Sequence, residues 1–205
     1  MLDVEGLRNT SGSFRSALAE MALSLGLDPS YIAAVMAIET GRTFSPSIQN
    51  PFNQATGLIQ FTRLTANALG TSLDELKRMS AIKQLEYVKK FFRPYAPRIR
   101  RDVPGDYYLA VFWPAYIGRS PDTVIAAAGD IVYAQNPGLD RNNDGFVTVG
   151  DVTGTVDGVV ARAAQRPPIE VTVGASLLAW AMGGLVVSLV GYSLCNQLHL
   201  KGWST

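Results

Sequence analysis

Glu39 is the residue best placed in this chain to do acid–base chemistry. It ends the run Asp28-Pro29-Ser30-Tyr31-Ile32-Ala33-Ala34-Val35-Met36-Ala37-Ile38-Glu39-Thr40-Gly41. Asp28 suits an N-cap, Pro29 the first helical position and Gly41 the stop, so the run reads as a helix. Ile32, Val35, Met36 and Glu39 share one face at i, i+3, i+4, i+7 spacing. The face that should meet the core therefore ends in a carboxylate. Burial and the negative end of the helix dipole both disfavour its ionised form. Both raise its proton affinity toward what a general acid needs at neutral pH. A Glu paired with nearby Arg42 is the competing structural reading, since ion pairs also perturb carboxylates.

A second set of chemical groups lies at Asp140-Arg141-Asn142-Asn143-Asp144-Gly145-Phe146-Val147-Thr148-Val149-Gly150-Asp151. The pattern matches an EF-hand calcium loop. Asp140, Asn142 and Asp144 fall at the first, third and fifth positions, and Gly145 at the sharp turn. Phe146 offers its backbone carbonyl, and Thr148 acts directly or through water. Calcium needs six or more hard oxygen ligands, which this alternation supplies from one short loop. Asp151 stands where Glu is standard, and its shorter side chain reaches less far around the ion. A plain turn rich in Asn, Asp and Gly is the alternative.

Other chemistry is thin. With 18 basic and 17 acidic residues the charge is nearly balanced, which gives no reason to expect nucleic acid. Arg98, Arg100 and Arg101 read as a solvated loop. The one cysteine, Cys195, allows no disulfide within the chain, and its apolar surroundings favour an inert thiol. The one histidine, His199, lies far along the chain, so a Ser-His or Cys-His mechanism has little support.

After Glu39 the segment Thr43-Phe44-Ser45-Pro46-Ser47-Ile48-Gln49-Asn50-Pro51-Phe52-Asn53-Gln54 reads as a loop. It leads into Ala55-Thr56-Gly57-Leu58-Ile59-Gln60-Phe61-Thr62. Joined to Glu39-Thr40, this segment resembles the lytic transglycosylases of goose-type-lysozyme-like fold, phage-encoded members above all, over about residues 14–152. The resemblance implies a mainly α, lysozyme-like fold and a catalytic Glu39. It implies substrate-binding roles for Thr40, Gly57, Ile59, Gln60 and Phe61, with Gln60 lining the sugar groove. Gly57 would let the backbone approach closely, and Phe61 would stack on sugar or fill the core. Thr40 stands where the family usually has Ser. The family's Ala-Tyr-Asn segment lacks its Asn here, and Tyr116 is the candidate for its Tyr. The implied reaction cleaves peptidoglycan glycan strands between N-acetylmuramic acid and N-acetylglucosamine, leaving a 1,6-anhydro end. Most glycoside hydrolases use two carboxylates. Asp74, Glu75, Glu86, Asp102 and Asp106 all read as exposed, which suits a family whose single Glu acts as both acid and base. A hydrolytic muramidase of the same fold and a non-catalytic subunit of a phage tail or ejection apparatus are the alternatives.

Short helices must position these groups. Apolar spacing predicts helices over residues 13–25, 80–92, 106–113 and 121–134, and Ser72-Leu73-Asp74-Glu75 is a capping box. Period-two alternation is almost absent, so any sheet is minor. Three parts follow: a lysozyme-like domain over 1–135, an EF-hand-like calcium unit over 136–165, and a linker with an apolar helix over 166–205. Residues 171–195 carry no charge, and about 25 residues rising about 1.5 Å each would span a bilayer core of roughly 30 Å. Ala175, Ala179 and Gly183, beside Gly184, Ser188 and Gly191, form stripes that permit close helix–helix approach. The expected partners are a membrane or other virion or tail proteins through this segment, with a homo-oligomer or larger assembly. Met1-Leu2-Asp3-Val4-Glu5-Gly6 lacks the features of a secretory signal. The expectation is a virion protein acting in the host periplasm or cell envelope during genome ejection.

Overall fold

Side-chain caps set where the helices begin. Ser11 accepts from the Phe14 N–H to open α1 (Gly12–Leu23), and Asp28 accepts from the Ser30 N–H to open α2 (Pro29–Glu39). Thr62 and Ser80 do the same for α3 (Arg63–Ala68) and α5 (Ala81–Phe92). The expected Ser72–Glu75 capping box opens α4 (Leu73–Arg78). Such caps satisfy N–H groups that have no partner inside the helix. The chain continues through α6 (Pro104–Phe112), β1 (Val124–Ala127), α7 (Ile131–Gln135), β2 (Phe146–Thr148) and α8 (Val149–Ala164). The computed structural model describes residues 1–174, and Met1–Thr172 form one unit, mainly helical with a small two-stranded sheet.

Residues 121–134 depart from the single helix expected of them. They form β1, a turn and α7. Gly129 has φ of 102°, and the Asp130 carboxylate accepts from the Ala127 N–H, which breaks the run before α7. β1 then pairs antiparallel with β2, placing Ala126 opposite Val147 and Ala127 opposite Phe146. Cross-strand pairing outweighs the local alanine-rich pattern.

The core is built around α2. Ile32 through Ala37 are all buried, because α1, α6 and α8 pack around this helix. A helix apolar on every side needs such a surround. Gly105 lets α6 and α8 approach, since a Cβ there would stand 2.7 Å from Thr153. Val147, Val149, Val152 and Val156 are buried in the same core, so the EF-hand-like segment packs with the helices that precede it. Among the described residues no single helix is long and apolar enough to cross a membrane. Most of the 171–195 segment, with its small-residue stripes, lies outside the described residues.

Asp106 corrects one expectation. It is 0% exposed and accepts from the Arg100 backbone N–H at 3.0 Å, Arg100 Nε at 2.8 Å, Arg100 Nη2 at 2.9 Å and the Gly118 N–H at 3.2 Å. Arg100 is therefore a structural partner and not only a solvated side chain. Burial pushes the Asp106 carboxyl up, but the Arg100 bonds outweigh it and hold the group below its ordinary value. Asp106→Ala should lower unfolding free energy by about 3 kcal/mol at pH 7, read by urea denaturation, because it strands the donors of Arg100 and Gly118. A depressed carboxylate contributes stability above its unfolded pKa and loses it as pH falls through its folded one, so the variant should approach wild type in strong acid.

Candidate active site

Glu39 is the last residue of α2, and the backbone behind it is closed tightly. The Thr40 N–H and hydroxyl both donate to Met36 O, at 2.9 and 2.7 Å, and the Thr40 hydroxyl oxygen accepts from the Phe44 N–H at 3.0 Å. The Arg42 N–H reaches back to Ala37 O at 2.7 Å, with Gly41 at φ 57°. This αL closure satisfies the last carbonyls of the helix and fixes where the Glu39 side chain leaves it. Arg42 turns to Glu5, Nε to Oε2 at 3.2 Å, so the expected competing partner is engaged elsewhere. Among the described residues the Glu39 carboxylate has no hydrogen bond or ion pair. Desolvation lifts its pKa from 4.5 to about 7.

The Glu39 charge acts on Tyr108 of α6. Tyr108 on α6 is 8% exposed, and its pKa is raised first by burial and then by the Glu39 charge. It stacks on Phe112, four residues on, with centroids 5.7 Å apart. Tyr116 sits in the 3₁₀ turn Pro114–Tyr116, edge-on to Trp113 at 6.5 Å. The neighbouring Tyr107 is a core residue: it is buried, donates to Arg101 O and accepts from the Asp28 N–H. The available signal for Tyr108 is its i, i+4 relation to Phe112 on a helix that faces α2.

The segment after the loop forms a tight hairpin. The Thr56 N–H donates to Phe61 O and the Phe61 N–H to Thr56 O, at 3.0 and 2.9 Å. Between them Gly57 has φ of 85° and Gln60 φ of 50°, both left-handed. Gln84 of α5, which the sequence does not single out, pins this turn from below. Fully buried, it accepts from the Leu58 N–H at 2.7 Å and donates to Pro46 O at 2.8 Å and Leu76 O at 2.9 Å. A polar side chain next to Leu85 on a buried helical face is the available clue. The Gly57 N–H donates to Ile48 O at 2.9 Å, tying the preceding loop to the same turn.

The other expected substrate contacts divide. Thr40, Ile59 and Phe61 are buried, so their side chains brace the site; Phe61 meets Phe91 edge-on at 6.4 Å. Gln60 is half-buried, and its Nε2 donates to Gly57 O at 3.1 Å. Its amide oxygen accepts no hydrogen bond among the described residues.

The EF-hand-like loop folds around Asp140. Its carboxylate accepts from the Tyr133 hydroxyl at 2.7 Å, the Gly145 N–H at 2.9 Å and the Asp144 N–H at 3.2 Å. The Tyr133 bond leads the causes that hold its pKa low. Asn142 Nδ2 donates to Asp144 Oδ2 at 2.8 Å, and Gly145 takes φ of 87° at the turn. Asp140, Asn142 and Asp144 are thus brought together. Asp151 instead closes a capping box, accepting from the Thr148 N–H at 2.9 Å and the Thr148 hydroxyl at 2.6 Å. Phe146 lies in β2 with its N–H bonded to Asp144 Oδ1. No group of three or more His, Cys, Asp or Glu is arranged to hold a metal among the described residues. The oxygen-only donor set still suits a hard cation.

Compared with known proteins, the chain matches no family model and no curated sequence.

Proposed function

We propose that the protein is a peptidoglycan lytic transglycosylase with a lysozyme-like fold, in which Glu39 is the only acid and base. The observation that carries this reading is a half-buried, unpaired carboxylate with a pKa of about 7, on which no second carboxylate acts. Three candidate partners are engaged elsewhere: Glu75 caps α4, Glu86 pairs with Lys83, and Asp106 is locked to Arg100. A two-carboxylate hydrolysis would need a second acid at the bond. A reaction in which the substrate supplies its own nucleophile needs none.

In this mechanism protonated Glu39 gives its proton to the glycosidic oxygen, and the bond from muramoyl C1 to that oxygen breaks. The muramoyl 6-hydroxyl attacks C1, and its proton passes to the Glu39 carboxylate. The enzyme ends as it began, and the product carries a 1,6-anhydro ring. A pKa near working pH lets one group serve both steps. Tyr108, which senses the Glu39 charge, or Tyr116 orients the acid or the sugar, and the Gly57–Gln60 turn offers backbone and amide groups to the glycan. Mass spectrometry of digested peptidoglycan should show anhydromuramoyl ends. Reducing ends would instead establish a hydrolytic muramidase.

We further propose calcium in the 140–151 loop, held by Asp140, Asn142, Asp144 and the Phe146 carbonyl, with Thr148 and Asp151 completing the shell. The ion would fix the loop and, through β2, the start of α8; no chemistry passes through it. Because Asp151 must leave its cap to reach the ion, affinity should be modest. Calorimetry should show calcium heat for wild type and none for Asp140→Ala, and a wild type silent at millimolar calcium would reject the site. Wall cleavage fits a virion protein acting in the host envelope during genome ejection, with residues 171–195 meeting membrane or neighbouring virion proteins.

A further inference from the structure

The structure holds a cavity of about 320 Å³. Ala37 and Ile38 of α2 and Gly41 beyond its end form one wall, and at 100° per residue Ala37 lies well round the helix from Glu39. The opposite wall is a single stripe of α8 and its exit: Thr155, Val159, Arg162 and Arg166, spaced four, three and four residues apart. Arg42 and Glu5 close the rim. Three guanidiniums therefore converge on one space against one carboxylate.

Their existing bonds leave most of this charge unused. Arg42 meets Glu5, Nε to Oε2 at 3.2 Å, and both side chains are exposed. Arg166 makes one long bond, from Nη1 to Asp3 O at 3.4 Å, while the Asp3 carboxylate is held by Arg8 at 2.9 Å. The Arg162 guanidinium has neither hydrogen bond nor ion pair among the described residues. Three cations against the single Glu5 carboxylate leave an excess of positive charge, and Ala37, Ile38 and Val159 in the same wall lower the local dielectric. Guanidiniums present donors in a planar fork that matches the oxygens of a tetrahedral oxyanion. The surplus of positive charge suits a dianion better than a single carboxylate.

We propose that this cavity is a phosphate-binding site, with Arg162 and Arg166 as its main donors and Arg42 as the third. The anion would lie near the C-terminal ends of α2 and α8, where the arginines must outweigh helix dipoles that disfavour it. The shared ligand chemistry is a phosphate group, either free or carried as an ester on a glycerol headgroup, whose organic part the apolar wall would receive. The site is separate from the Glu39 chemistry, and its test involves no peptidoglycan.

The full chain is titrated by calorimetry with inorganic phosphate and, separately, with glycerol phosphate, at ionic strength matched by chloride. Wild type should bind at least one of them saturably. Arg162→Ala and Arg166→Ala should each weaken that binding by about tenfold or more, as loss of a charge-assisted bond requires. Both side chains are exposed, so both variants should keep the wild-type circular dichroism spectrum. Tighter binding of inorganic phosphate supports a free-phosphate site, and tighter binding of the ester supports a headgroup site. No saturable heat with either ligand overturns the proposal. So does binding that both variants retain unchanged.

Discussion

Glu39→Gln should reduce peptidoglycan solubilisation by a factor of about 10² to 10⁴, the usual contribution of a positioned general acid. Gln keeps the shape of the side chain and removes only the transferable proton, so the loss reports chemistry and not packing. Turbidity clearance of purified walls measures it, and an unchanged rate would end the enzymatic reading. The same variant should be more stable than wild type at alkaline pH. Glu39 has a folded pKa of about 7 against an ordinary 4.5, so the folded state holds a proton that the unfolded chain releases. Stability is then full below the unfolded pKa and falls as pH rises from about 4.5 to 7, after which it levels. A shift of that size corresponds to about 3 kcal/mol, an upper bound that water around a half-buried group will reduce. Urea denaturation at about pH 8, above the folded pKa, should therefore show the Glu39→Gln variant unfolding later than wild type, with the difference gone near pH 4. Activity should show the same group from the other side. Above about pH 7 the fraction of protonated acid falls, and kcat/KM should fall with it.

The acid is legible in the sequence because its signals are local. Asp28, Pro29 and Gly41 mark a helix, and the 3.6 period alone shows that Glu39 lies on its apolar face. The strands are not legible, for the opposite reason. Val124–Ala127 becomes a strand only because Phe146–Thr148 comes to lie beside it. Nothing within residues 121–134 announces a partner that far along the chain. Asp106 and Gln84 are hidden in a related way. Each is a polar residue whose burial depends on donors and acceptors from other segments: Arg100 and Gly118 for one, Pro46, Leu58 and Leu76 for the other. Sequence order offers Tyr116 as the aromatic partner of the acid; that Tyr108 senses the Glu39 charge depends on α6 packing against α2. Positions set by one element are readable, and positions set by two elements meeting are not.

Gly57→Ala should be the most damaging small substitution in the site, lowering stability by about 4 kcal/mol or more. Two penalties combine. At φ of 85° a Cβ is itself strained, by roughly 1–2 kcal/mol. That Cβ would also stand 2.4 Å from Gln84 Oε1 and 2.6 Å from Gln84 Nε2, so Gln84 must move. Moving it strands the Leu58 N–H and the Pro46 and Leu76 carbonyls, and each buried group left unsatisfied costs roughly 1–3 kcal/mol. A double-mutant cycle separates the two penalties. Gln84→Ala removes the obstacle together with its bonds, so Gly57→Ala added to that background should cost only the backbone strain. If the two single effects simply add, the clash with Gln84 is not what makes Gly57 necessary. Under conditions where both single variants remain folded, wall cleavage should still be impaired in each. The Gln60 amide is carried by the turn that Gly57 and Gln84 jointly hold, and displacement of such a group by about an ångström can cost catalysis about a hundredfold.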